Sequence, residues 1–463
     1  MSSTPVRELR QLSWAFVQAA TEAFVRVGIW PRPLASRALR WGPDFVYDDL
    51  RGLPELHALN EWLESAPELL RMYDEHPGDH SGFAHVWFSL VTRTLLDSKG
   101  PTPDPLAFSR QFTLFSRELY RPTARMRRVT TLVGLDPKFE RITLDDQTSL
   151  RRLPWLVYLA ERLLDGQFGS HYGLVPGHDE HSVLVTEAVF PKAGFLSVAH
   201  RHVDDAKKLH SLETALRLYT RGVVRAGTIY EFHVAPFPLI EPESVQLERS
   251  SSFGGVLNWG EESAVIARRD IPRVTRLWRE LMQGQFDERL WIAMRRFRSS
   301  YGEPFLDGLV DLTIAMEALF GPKEGEELTH RLRLRAAFLL GRGDEEARTI
   351  YRQVGTLYDI RSRVLHGRAF AERDYRRWLT RLTGHRFARF EPVGDVVERA
   401  VAIARELVRR SIVGAVGMSQ NRVGAPAWPL PDTLDQDMAT PRGKSIWRRS
   451  FQRAEFLRLR HVE

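Results

Sequence analysis

An α+β fold is predicted for this chain: a mixed α/β N-terminal and middle region, followed by an all-α helical bundle. Three observations predict it. Apolar residues recur at three- and four-residue steps over residues 5 to 28 and 53 to 96, the pattern of a core-facing helix. β-Branched runs at residues 182 to 190 and 228 to 234 read as strands. From about residue 286 the period is helical again and stays so.

Composition limits the classes of protein open to this sequence. At 463 residues the chain is too long for one ordinary core, so several domains are expected. With 43% hydrophobic residues and 10% aromatic it buries substantial cores and does not read as disordered. The net charge of +7 is small beside 66 basic and 59 acidic residues, so it permits a phosphate-rich partner without requiring one. The absence of cysteine excludes disulfides, thiolate metal sites and a cysteine nucleophile. No run of about 18 uncharged apolar residues occurs, so no membrane span is expected. The first thirty residues carry Arg7, Glu8, Arg10, Glu22 and Arg26 among their apolar positions, which fits an ordinary helix rather than a signal peptide and makes a cytoplasmic location the expectation.

Four regions follow in order: residues 1 to 130, mainly helical; 131 to 285, mixed α/β with a sensing or regulatory role; 286 to 414, the bundle; and 415 to 463, a Pro/Gly linker with a basic tail. In the first, Leu9, Leu12, Phe16, Ala20 and Phe24 share one helix side, and residues 30 to 33 (WPRP) end it. Asp79, His80 and His85 read as a polar loop and helix cap in preference to a metal site. After the proline-punctuated stretch 101 to 105, residues 106 to 120 are helical. The basic run that follows, Arg121, Arg125, Arg127 and Arg128, reads as a solvated face or as partners for Asp145 and Asp146 before it reads as a phosphate site. Strands are expected from about residue 139 onward, with helices at 155 to 164 and 206 to 220. Residues 177 to 181 (GHDEH) follow Pro176 and mark a turn in preference to a metal site. Dinucleotide, Walker and zinc-protease patterns do not occur.

The bundle is predicted from helices at residues 288 to 297, 304 to 320, 326 to 340, 345 to 367 and 393 to 413, joined by short connections. Glu317 falls on the same side as Leu306, Val310 and Thr313, so its carboxylate turns inward, with Arg335 on the next helix as the expected partner. In the fourth helix Ala347, Ile350, Tyr351, Val354, Leu357 and Tyr358 form one stripe, and Arg361 continues it. A guanidinium there must find a buried partner or face a cleft, because it stays charged. His366 stands in the last turn at the negative end of the helix dipole, and Gly367 sits where the helix should stop. Together they offer a fixed cation and a titratable proton carrier. Arg71 and His76 have the same spacing without that setting. In the tail, residues 444 to 460 form a basic amphipathic helix whose aromatic residues call for docking on the protein's own body, ahead of membrane adsorption or RNA contact.

Residues 358 to 367, YDIRSRVLHG, preceded by Leu319-Phe320 and by residues 330 to 340, HRLRLRAAFLL, resemble the HEPN domains, specifically their Apea-like branch, over roughly residues 286 to 414. The resemblance implies a HEPN-type helical bundle and a metal-independent endoribonuclease that acts as a homodimer through that bundle. The residues carried over as catalytic are Arg361 and His366. Glu317, Arg335, Ser362 and Tyr358 are supporting positions, Ser362 standing where many catalytic members have Asn, Asp or His. No cofactor and no metal is implied. The partners implied are RNA, a second copy of the chain and a regulatory protein, and the role implied is a toxin-like effector of defence, including antiviral defence, or of stress response. The alternative expectation keeps the bundle and drops the chemistry, giving a dimerisation or nucleotide-binding interaction protein. A third, a deaminase or hydrolase using His178 and His181, lacks further ligands.

Overall fold

The computed structural model describes residues 3–26, 50, 52–73, 81–98, 102–152, 182–192, 203–220, 222–233, 240–242, 264–301, 304–322, 328–367, 371–387, 392–420, 426–431 and 433–456. The chain divides into two compact units. The first comprises Met1–Leu132, Glu140–Ala206 and Ala226–Val245, the second Val133–Phe139, Lys207–Arg225 and Gln246–Glu463. The α+β class holds.

In the first unit, helices α1 (Ser3–Arg26), α2 (Pro54–Glu64), α3 (Pro67–Tyr73), α4 (Ser81–Ser98) and α5 (Pro105–Leu119) enclose a core rich in aromatic rings. Trp87 lies at its centre, with the rings of Trp62, Phe83 and Phe115 between 5.8 and 6.3 Å away. Helix α5 starts at Asp104, whose carboxylate accepts from the backbone N–H groups of Leu106 and Ala107. The helix is followed by β1 (Thr123–Val133), a strand that begins well before residue 139. Ala124, Met126 and Arg128 are buried while Arg125 and Arg127 are exposed, so arginine and apolar residues alternate along the pleat. Arg121 and Arg125 bond to Glu118, and Arg127 pairs with Glu187 at 2.9 Å, in place of the expected Asp145 and Asp146.

With β3 (Arg141–Thr143), β4 (Thr148–Arg152), β5 (Ser182–Pro191), β6 (Arg225–His233) and β7 (Ile240–Pro242), β1 forms a six-stranded sheet in the order β3-β4-β5-β1-β6-β7. Strand β5 runs antiparallel to both β1 and β4, with Leu184 opposite Thr130 on one side and Leu150 on the other. Both strands expected from their β-branched runs, β5 and β6, are present. The expected helix at 155 to 164 lies outside the described residues.

The second unit joins a short parallel pair, β2 (Leu135–Pro137) with β8 (Ala264–Ile266), to a set of helices. These are α6 (Val203–Tyr219), α7 (Ile271–Gln283), α8 (Glu288–Ser299), α9 (Phe305–Phe320), α10 (Leu328–Leu340), α11 (Asp344–Leu365), α12 (Glu372–Thr383), α13 (Gly394–Ser419), α14 (Leu434–Ala439) and α15 (Pro441–Phe456). Helix α9 is central and packs on α8, α11 and α13. It is buried almost all round, from Gly308 through Thr313 and again at Ala315, Met316, Leu319 and Phe320. Residues 271 to 283 and 372 to 383, outside the expected helices, are helical too, and α12 buries only Trp378, Leu379 and Leu382 of an otherwise arginine-rich run.

The tail docks, as its aromatic residues require. Phe451 is fully buried and its ring meets Phe320 at 6.3 Å. Helix α13 is notched to receive it: a Cβ on Gly414 would stand 2.3 Å from the Phe451 ring. Among the described residues no helix is long and apolar enough to cross a membrane.

Candidate functional site

Helix α11 carries the site on its final two turns. Ile350, Val354, Leu357 and Ile360 are buried, while Ala347, Tyr351 and Tyr358 are half-buried at the margin of the same stripe. The helix ends as expected. The His366 N–H donates to the Ser362 carbonyl at 3.2 Å, the Gly367 N–H donates to the Val364 carbonyl at 3.0 Å, and Gly367 takes the left-handed φ of +59°. This termination leaves the His366 side chain exposed.

Arg361 finds its partner on α9. Its Nη2 lies 3.3 Å from Glu317 Oε2, and the two side chains are only 24% and 15% exposed. The guanidinium also lies 5.9 Å from the centre of the Tyr358 ring. Thr313 ties the same two helices together, its Oγ1 donating to the Leu309 carbonyl at 2.7 Å and to the Leu357 carbonyl at 3.3 Å. Burial raises the Glu317 carboxyl above its ordinary range, and the Arg361 charge offsets part of that rise. Two polar atoms of the pair, Glu317 Oε1 and Arg361 Nε, are buried with no hydrogen-bond partner among the described residues.

The expected pairing of Glu317 with Arg335 is corrected. Arg335, 2% exposed, turns to α14, where its Nε and Nη2 donate to the two oxygens of Asp435, both at 2.8 Å; its Nη1 donates to the Phe320 carbonyl at 3.3 Å. Arg331 reaches the same carboxylate at 2.7 Å. A two-pronged carboxylate fits the guanidinium fork better than a single oxygen does. Arg335 therefore braces the tail against the bundle and does not reach Arg361 through Glu317. Burial alone would raise the Asp435 carboxyl; the bonds from Arg335 and Arg331 outweigh it and hold the group below the ordinary carboxylate range.

Of the predicted set, Arg361, Tyr358 and Glu317 stand together, Ser362 contributes its carbonyl to the helix end, His366 is the exposed neighbour one turn on, and Arg335 is elsewhere. A second anchor, which no sequence signal announces, stands beside this group. Arg363 donates to Asp374 of α12 at 2.7 Å and lies 5.3 Å from the centre of the Trp378 ring. Together with the bond from Gln353 Nε2 to the Leu382 carbonyl at 2.8 Å, it lays α12 antiparallel to α11, its first turn beside the end that bears His366. Asp79, His80, His76, His178 and His181 lie outside the described residues, among which no cluster of three or more potential metal ligands occurs.

Compared with protein-family models, with curated proteins and with solved structures, the chain matches none.

Proposed function

We propose that this protein is a metal-independent endoribonuclease of HEPN type, whose second unit cuts RNA with Arg361 and His366. The observation that supports the reading most is the end of α11. There a half-buried guanidinium is gripped by Glu317 at one nitrogen and keeps another nitrogen without a partner among the described residues, and an exposed imidazole stands at the helix terminus.

RNA carries its own nucleophile in the 2′-hydroxyl. His366 takes or returns its proton, and Arg361 stabilises the charge that develops on the phosphate. No cofactor enters the scheme. Residues five apart on a helix point about 140° apart, so a second copy docked through the bundle supplies the group that one protomer turns away; Leu365, 57% exposed between the two motif residues' turns, belongs to that face.

Cleavage of this kind harms the cell that hosts it, so the remainder of the chain, or a regulatory partner protein, restrains it, and the working place is the cytoplasm, in defence or stress response. If so, residues 286 to 463 expressed alone should be more toxic to the host than the whole chain; equal toxicity of the two, both soluble and folded, removes the restraint. The deciding experiment for the chemistry is cleavage of RNA by the purified full chain in EDTA, expected for the wild type and lost in His366→Ala.

One observation favours a second reading, a non-catalytic dimerisation or nucleotide-binding module. The Arg361 guanidinium is already neutralised by Glu317, as a purely structural arginine would be. Uncut RNA under every condition, with a stable dimer in solution, selects that reading.

A further inference from the structure

Between residues 363 and 386 the sequence carries seven arginines and two carboxylates, and both carboxylates are already bound: Glu372 to Arg376 at 2.9 Å and Asp374 to Arg363 at 2.7 Å. Arg373, Arg377 and Arg381 follow one another at four-residue steps on α12 and are all exposed. Four residues advance the helix by about 6 Å and rotate it by only about 40°. The three guanidinium groups therefore form a single row on the face opposite buried Trp378, Leu379 and Leu382.

An ordinary solvated helix face interleaves acids with bases at such steps. Here, among the described residues, the row's one acidic contact is loose, Arg381 to Asp359 at 3.8 Å, both side chains about half exposed. The row has a direction, because the antiparallel packing of α12 on α11 puts Arg373 at the end that carries His366. Beyond its other end Arg386 is exposed, and the chain turns back so that the Phe387 ring lies 5.2 Å from the Arg376 guanidinium and meets the His385 ring edge to face at 5.0 Å, both rings half-buried.

We infer that α12 is a track for single-stranded RNA: Arg373, Arg377 and Arg381 hold successive backbone phosphates, and the His385–Phe387 pair gives a base a surface to stack on. A row of cations beside an aromatic platform is the arrangement that binds single strands without reading sequence. A duplex hides its bases from such a platform. The inference rests on the RNA reading given above, but it concerns binding and not the cut.

The test uses the full chain carrying His366→Ala, so that RNA is bound and not consumed, and a fluorescent unstructured RNA of about 12 nucleotides, with anisotropy read across a salt series. Arg373→Gln/Arg377→Gln/Arg381→Gln should weaken binding on the order of 10- to 100-fold and make the salt slope shallower by about 2, three contacts at roughly 0.7 each. The corresponding triple Lys variant should keep the slope. Arg7→Gln/Arg26→Gln/Arg268→Gln, an equal loss of charge at exposed positions, should leave affinity and slope nearly unchanged. Unaltered binding by the α12 triple Gln variant, an equal loss from the control triple, or no RNA binding by the His366→Ala parent would each overturn the track. Wild-type protein that binds through α12 and fails to cut removes the nuclease and leaves the track; protein that cuts with its α12 arginines replaced and its RNA affinity intact does the reverse.

Discussion

Arg361 and Glu317 meet across two helices at 3.3 Å, and each keeps one buried polar atom that the other does not satisfy. The pair is therefore coupled but incompletely so, a geometry that holds the guanidinium in place through one of its nitrogens. Replacing Arg361 by alanine should lower RNA cleavage about 10²-fold or more. It should also cost about 1–3 kcal/mol of stability at neutral pH, because Glu317 loses its counter-charge. His366→Ala should lower cleavage as much and leave the melting temperature nearly unchanged, since that side chain is exposed. Products ending in 2′,3′-cyclic phosphate, and DNA left intact, would identify the 2′-hydroxyl route; an active double variant would remove both residues from the mechanism.

Glu317 also gives the second unit a pH signature. Its folded carboxyl titrates above the unfolded one, chiefly through burial, so the folded state binds the extra proton and stability falls as pH rises through the window above about 4.3. In Arg361→Ala that fall should steepen, and adding Glu317→Gln should flatten it. Melting temperatures of the single and double variants from about pH 4.5 to neutrality check this; parallel curves for Arg361→Ala and Arg361→Ala/Glu317→Gln would show that Glu317 is not the titrating group.

Asp435 behaves in the opposite sense. Its folded carboxyl titrates below the unfolded one, so the stability it contributes is present above about pH 4 and is lost as pH falls through the folded value. Asp435→Ala leaves Arg335, 2% exposed, without a counter-charge and should cost about 3 kcal/mol or more in denaturant unfolding at neutral pH. Arg331→Ala, which leaves the Arg335 bonds in place, should cost clearly less. Equal and small losses from both would show that the tail does not brace the bundle.

In the first unit Lys192 is fully buried, its Nζ donating to the carbonyls of Glu118 and Leu119 at the end of α5 and lying 4.7 Å from the centre of the Tyr73 ring. Burial pushes the ammonium down to about 7, against the opposing pull of the Glu118 carboxylate. Above that value the unfolded chain holds a proton that the folded chain has released, so stability should rise with pH from about 7 toward 10. Burial also raises the Tyr73 hydroxyl well above its ordinary value, so it remains neutral in the fold over this range. Lys192→Met should abolish the rise, read as melting temperature against pH; a rise that survives the substitution must come from another group.

Several of these features were legible before any coordinates. The helical stripe of α11, its stop at Gly367 and the inward turn of Glu317 follow from spacing, because a helix repeats every 3.6 residues whatever surrounds it. The β-branched runs that make β5 and β6 strands, and the burial of the tail through Phe451, follow from local pattern and composition in the same way. The four-residue step of Arg373, Arg377 and Arg381 was equally available in the sequence. It announces no helix on its own, because α12 offers only three buried apolar positions.

What the sequence by itself determined is thus periodic: which stretches are helix or strand, and which side of each turns inward. Partner choice was decided by tertiary structure alone. Glu317 had two arginines within plausible reach on neighbouring helices, and periodicity says nothing of which of two inward-facing charges comes closer. The answer depended on Asp435, 100 residues beyond Arg335 in the chain, arriving with two oxygens for one guanidinium fork and so leaving Arg361 to Glu317. The same holds for the inclusion of Val133–Phe139 and Lys207–Arg225 in the second unit. Such contacts close long loops, and the favourable energy that offsets the closure entropy exists only once the distant surfaces are already formed.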